Sequence, residues 1–140
     1  MLNAHGEFSV QWFAQVCLVT LRDSFNREGV LAMAAGIRQA WLDAGQPTHW
    51  AHVMDLREWQ GGTRDGFAAS HELLMWNVAH GAKAIIRIHS AMFLARVTER
   101  QHVFDDISVP IITVSTPEQA WGWLETHGIA CLPPGAVPCS

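Results

Sequence analysis

With 140 residues, 49% of them hydrophobic and 16% charged, the chain has the make-up of one packed domain rather than of a disordered or fibrous protein. A formal charge of -4, with nine Lys and Arg scattered along the chain, offers no basic stripe for phosphates, so nucleic acid is not an expected partner. No apolar run reaches the roughly 18–20 residues of a transmembrane segment, and the start Met1-Leu2-Asn3-Ala4-His5-Gly6-Glu7 lacks the regions of a signal peptide, so a cytoplasmic protein is expected.

Phe8-Ser9-Val10-Gln11-Trp12 alternates apolar with polar, and Val16-Cys17-Leu18-Val19-Thr20-Leu21 follows closely, which predicts a hairpin. Asn26 is placed to cap a first helix whose Val30, Ala34, Ile37 and Trp41 share a face, and Gly45 and Pro47 stop it. Trp50-Ala51-His52-Val53-Met54-Asp55-Leu56 is apolar almost throughout, as in a central strand covered on both faces, and a loop Arg57-Glu58-Trp59-Gln60-Gly61-Gly62 is expected after it. Thr63 caps a second helix carrying Phe67, His71, Leu74 and Val78 on one face, closed by Gly81.

Ala84-Ile85-Ile86-Arg87-Ile88 reads as a β-branched strand, and Ser90 as the cap of a third helix with Phe93, Val97, Gln101 and Phe104 on one side. Pro110-Ile111-Ile112-Thr113-Val114 is the last strand. Thr116-Pro117-Glu118-Gln119 combines a cap, a proline at the first helical position and a capping-box glutamine, and Gly128 ends that fourth helix. The expected fold is α/β: a single domain over residues 1–129, in the order ββαβαβαβα, with a mixed five-stranded sheet and four helices, then a loose Pro/Gly-rich tail over 130–140.

In this order the chain resembles the SpoIIAA-like proteins of the STAS domain superfamily, which is related to CRAL-TRIO lipid-binding domains. The resemblance runs from about Phe8 to Ile129. It rests on Val53-Met54-Asp55-Leu56-Arg57-Glu58-Trp59, on the stretch from Trp76 to His80-Gly81-Ala82-Lys83, and on Thr116-Pro117-Glu118-Gln119-Ala120-Trp121-Gly122-Trp123-Leu124. It implies a non-enzymatic module that binds a protein partner, a nucleotide or a small apolar ligand. In the anti-sigma factor antagonists of this group, the segment after the central strand carries a phosphorylated serine in Asp-Ser-Ser-Gly-Leu. Here that stretch is Thr63-Arg64-Asp65-Gly66-Phe67, which does not retain the serine.

Ligands of open parallel sheets sit beyond the carboxyl ends of the strands. That rule selects residues 55–65, 89–93 and 115–116. The expected ligand-binding residues are Asp55, Arg57, Trp59, Gly61, Gly62, Thr63, Arg64, His89 and Phe93, a set suited to an anion or a small amphipathic molecule. The bland alternative is that Gly61 and Gly62 make a turn, Asp55 satisfies backbone donors and Trp59 covers the next helix. Two further readings are an interaction regulator switched by phosphorylation at Thr63 or Ser70, and an enzyme using His89, Asp55 and Arg57 as acid, base and anion clamp.

No metal or other cofactor is expected. The eight histidines include no HxxxH or HExxH pair, and the three cysteines, Cys17, Cys131 and Cys139, have no CxxC spacing; Cys17 reads as core and His71 as a hydrogen-bonded core residue. No GxSxG elbow, GxGxxG or GxxxxGK[ST] loop is present. Seven tryptophans are many for this length, and Trp121 and Trp123 cannot both face a core from one helix, so an aromatic edge is expected at a partner surface such as that of a homodimer.

Overall fold

Side-chain alternation at the start of the chain produces a hairpin. In the computed structural model, which describes residues 3–90 and 106–131, β1 (Glu7–Phe13) and β2 (Val16–Phe25) pair antiparallel and are joined by only Ala14 and Gln15. Ala14 takes a left-handed φ of 49°, a conformation that disfavours a residue with a Cβ. Asn26 then caps α1 (Arg27–Asp43), accepting a hydrogen bond from Gly29 N at 2.9 Å. The same side chain bonds His5 N and Asn3 O, which fastens the N-terminal segment to the helix start.

The central strand β3 (Trp50–Gly62) pairs parallel with β2 and with β4 (Ala82–Ile88), and β4 pairs parallel with β5 (Ile111–Val114). The sheet order is β1-β2-β3-β4-β5, so each parallel crossover steps in the same direction. Crossovers of one hand that step one way put their helices on one face. Accordingly α1 and α2 (Arg64–Ala79) pack side by side on that face, and α3 (Pro117–Thr126) returns to the other, against β3, β4 and β5. The core is split by the sheet into two layers. Val19, Ile37, Trp50 and Leu73 lie in the layer under α1 and α2, and Val16, Val53, Ile86 and Leu124 in the layer under α3.

The caps are those expected: Thr63 Oγ1 accepts from Gly66 N, and Thr116 with Gln119 forms a complete capping box. Three expectations change. First, β3 does not stop at Leu56, because the segment 57–62 stays paired with the extended end of β2, Glu58 opposite Arg22 and Gly62 opposite Phe25. Second, the buried face of α2 is Gly66, Ala69, Leu73, Leu74 and Asn77, while Phe67 stays 52% exposed. The small Gly66 and Ala69 let the helix approach the end of β2, and a count of large apolar residues overlooks them.

Third, three helices lie among the described residues where four were expected, in the order ββαβαββα. The expected helix capped by Ser90, with Phe93, falls in 91–105, outside the described residues. At the other end the described chain stays packed past residue 129. Ala130 exchanges hydrogen bonds with Gln15, and Cys131 is buried.

The tryptophans are distributed through both layers. Trp50 is fully buried, with its Nε1 donating to His80 O at 2.8 Å; Trp12 leans on it at 5.0 Å, and Trp41, Trp76 and His80 cluster between the helices. Trp121 meets Phe13 edge-on, and Trp123 stacks on His127. No described helix is long and apolar enough to cross a membrane.

Candidate ligand-binding site

The end of β3 is shaped by its pairing with β2. Thr20 lies opposite Asp55 and Arg22 opposite Glu58; Asp23 then lies opposite Trp59 and Phe25 opposite Gly62. Twice, therefore, two steps on β2 match three on β3. Each extra residue is a bulge that shifts the alternation of side chains by one position. Leu56 points to the α1/α2 layer, and the bulges bring Trp59 and Gly62 to that same side.

Between this strand end and the two helices lies a cavity of about 120 Å³. Its walls are Leu21 and Phe25 of β2, Val30 and Met33 of α1, and Met54, Leu56, Trp59 and Gly62 of β3. Gly66, Phe67, Ser70, His71, Leu73 and Leu74 of α2 and Arg87 of β4 complete it. Trp59 and Phe67 stand edge to face with ring centroids 5.9 Å apart, and both Phe67 and Gly62 are exposed, which puts the mouth beside them. Among the described residues the lining contains no carboxylate.

Its polar groups are few. Arg87 is half-buried, and desolvation holds its guanidinium below the ordinary value, though an arginine in a protein remains a cation. His89, buried beyond the end of β4 and 6.3 Å from Trp59, is pushed down to about 4 by desolvation and then by the charge of Arg87, so it is neutral near pH 7. His71 bonds Asp106 (Nε2 to Oδ1, 2.9 Å), and this hydrogen bond holds the exposed Asp106 carboxyl below the usual range.

The expected site residues divide between the two faces. Trp59 and Gly62 line the cavity, Thr63 caps the helix whose first turns form one wall, and His89 sits behind Trp59. Asp55 and Arg57 are on the opposite face. Asp55 is in line with Val53 and across from Ile88, both in the α3 layer, and Arg57 feels Glu118 of α3. They pair with each other (Oδ2 to Nη2, 2.7 Å), and the Arg57 guanidinium keeps the Asp55 carboxyl below its ordinary range. The acid, base and clamp arrangement of His89, Asp55 and Arg57 is therefore not formed.

Gly61 has a left-handed φ of 101° with open space around it, and Arg64 is exposed at the first turn of α2. Gly62 has a tighter role, since a Cβ there would stand 2.9 Å from Phe25 O. Phe93 is outside the described residues. Lining residues outside the expected set include Leu21, Phe25, Met33, Leu73 and, above all, Arg87, while Ser70 is expected only as a phosphorylation candidate. A charged residue inside the otherwise apolar Ala84-Ile85-Ile86-Arg87-Ile88 was the available signal. Among the described residues no group of three metal-ligating side chains occurs.

No protein-family profile matches the chain, and no curated protein does. Solved structures do match. One is an uncharacterised protein of the DUF3478 family with a SpoIIAA-like fold from Shewanella loihica PV-4, at a TM-score of 0.64 and 13% identity over 89% of this chain and 97% of that one. Another is the anti-sigma factor antagonist SpoIIAA in its unphosphorylated form, at a TM-score of 0.58 and 15% identity over 88% of this chain and all 100% of the other.

Proposed function

We propose that this chain, whose fold is SpoIIAA-like, is a non-enzymatic binding module that holds a small apolar or anionic ligand beneath α1 and α2, at the carboxyl ends of its parallel strands. The observation that carries the proposal is the cavity walled by Leu21, Met33, Leu56, Trp59 and Leu73 with Arg87 on one side. Concave, mostly apolar sites with a few placed polar groups are what small ligands use. Phe67, exposed and edge-on to Trp59, is the ring that such a ligand would cover.

The alternative is a phosphorylation-switched regulator of a protein partner, after the anti-sigma factor antagonist. The local geometry favours it less. Thr63 Oγ1 already accepts from Gly66 N at 3.1 Å and bonds Asp65 Oδ1 at 2.5 Å, so a phosphoryl group there would break the cap and stand beside a carboxylate. Ser70, the other candidate, lines the cavity and is half-buried.

Native mass spectrometry and thermal-shift measurements against fatty acids, phospholipids, nucleotides and small aromatic acids test the binding reading. Stabilisation by at least one class is expected. No response to any of them ends it.

A further inference from the structure

We propose that β1 is a dimerisation edge: it pairs antiparallel with β1 of a second copy of this chain, about a two-fold axis at Val10, and joins the two sheets into one. The pairing is independent of the cavity. A sheet edge presents a row of unpaired N–H and C=O groups, and folded monomers protect it with short strands, proline, lysine or bulges. The two edges here differ in that respect. β5 has four residues and follows Pro110. β1 has seven, Glu7-Phe8-Ser9-Val10-Gln11-Trp12-Phe13, with no proline or lysine, and its ladder with β2 runs without a bulge. Among the described residues nothing pairs with its outer side.

The residues of β1 select a second copy as the occupant. Residues directly opposite each other in an antiparallel pair point to the same face, so a register that sets apolar against polar residues mismatches both faces. Phe8, Val10 and Trp12 are partly buried on the α1/α2 face, while Ser9 and Gln11 are exposed on the other. A two-fold axis at Val10 keeps these faces together and uses all seven residues. Phe8 then meets Trp12 of the second copy, Ser9 meets Gln11, and Val10 meets its own equivalent. Glu7, the one charge of the strand, meets Phe13 rather than another carboxylate.

The helix layer fits the same axis. α1 lies over β1 and β2, and a Cβ at Gly36 would stand 3.2 Å from the Phe8 ring and 3.4 Å from Val10. Ala32 and Ala40, four residues to either side of Gly36, continue that flank with small side chains. Paired strands lie about 4.8 Å apart, so two helices each set slightly inside their own β1 come roughly 10 Å apart, a spacing at which helices pack. An edge about 24 Å long, with sheet and helix layers about 20 Å deep, buries roughly 1,000 Å² over both copies, the lower end for a specific interface. A dissociation constant on the order of micromolar is expected.

Sedimentation velocity of the full chain over a dilution series at low ionic strength reads that constant, and two double variants at exposed positions test the register. Ser9→Glu with Gln11→Glu sets like charges opposite one another twice across the axis, whereas Ser9→Glu with Gln11→Lys sets opposite charges there. The first should weaken the dimer by about tenfold or more, and the second should leave it at least as tight as the wild type. Hydrogen exchange on the wild type decides the same point without a variant, since β1 amides should exchange more slowly as the concentration rises.

A wild type that stays monomeric up to roughly 1 mM would overturn the proposal and leave β1 open to a partner of another kind. Equal dissociation constants for the two double variants would overturn it as well, because the contact would then lie elsewhere or in another register. So would a dimer whose β1 amides exchange at the monomer's rate.

Discussion

His52 makes the fold acid-sensitive in a defined pH window. It is fully buried in β3, across from Cys17 on β2 and Ile85 on β4, and neither ring nitrogen has a hydrogen-bond partner among the described residues. Burial alone holds the imidazole down at about 4 instead of the usual 6.5, and the Cys17 thiol beside it, pushed up to about 12, stays neutral too. In the unfolded chain His52 takes a proton as pH falls through about 6.5, while in the folded chain it does not until about 4, so unfolding is favoured as pH drops across that interval. The linkage amounts to roughly 3 kcal/mol, or roughly 10 °C in midpoint for a domain of this size. His89, also held at about 4, acts in the same window.

The carboxyls of Asp55 and Asp106, held below 3.8, contribute stability that is lost only at still lower pH. Urea titrations of the wild type and of His52→Leu at pH 7, 6, 5 and 4.5 separate these contributions. Leucine is uncharged and similar in bulk, so the variant should lose about half of the slope between pH 6.5 and 4, and removal of two unpaired nitrogens should make it no less stable at pH 7. A variant with the full wild-type slope would refute the assignment of acid sensitivity to His52.

Gly62→Ala places a Cβ 2.9 Å from the backbone oxygen of Phe25 and should cost about 1–3 kcal/mol in urea unfolding, with the β3 end displaced and the cavity altered. Ala14→Gly relieves a left-handed φ of 49° in the hairpin and should raise stability by up to about 1 kcal/mol; a loss in thermal unfolding would contradict the strain. Arg57→Ala removes an exposed ion pair on the face away from the cavity, so it should change stability by less than about 1 kcal/mol and leave ligand titrations unmoved. A shift in those titrations would place the site on the wrong face of the sheet.

Elements whose cause is local could be read from the residues alone. Asn26, Thr63 and Thr116 cap the helices assigned to them, and Gly81 and Gly128 take the left-handed φ expected at helix ends, because each depends on a few neighbouring atoms. The end of β3 depends on a partner distant in sequence. Arg57, Glu58 and Gln60 are polar and two glycines follow, so the segment reads as loop; the ladder with Arg22, Asp23 and Phe25 makes it strand. The face of α2 is not legible in the sequence for a related reason: burial of Gly66 and Asn77 is set by what lies opposite them, and neither is apolar in bulk. Of the candidate site, Trp59 and Gly62 are legible in the sequence, while Arg87 reads there only as part of a strand.

The sheet order explains why the cavity at the strand ends lies under the two helices rather than in an open crevice. A crevice forms at the carboxyl edge when successive crossovers diverge to opposite faces. Here the order β1-β2-β3-β4-β5 never reverses, so α1 and α2 lie together on one face and leave no such divergence between them. Space arises instead below their first turns. Both helix starts are anchored at the β2 and β3 ends, Asn26 following Phe25 and Thr63 N donating to Phe25 O, while the bulge between Asp55 and Glu58 turns Trp59 under them. Filling that space with a larger side chain at Ser70 changes one wall only, whereas deleting the extra residue between Asp55 and Glu58 would make the ladder regular and keep Trp59 opposite Asp23, on the α1/α2 face.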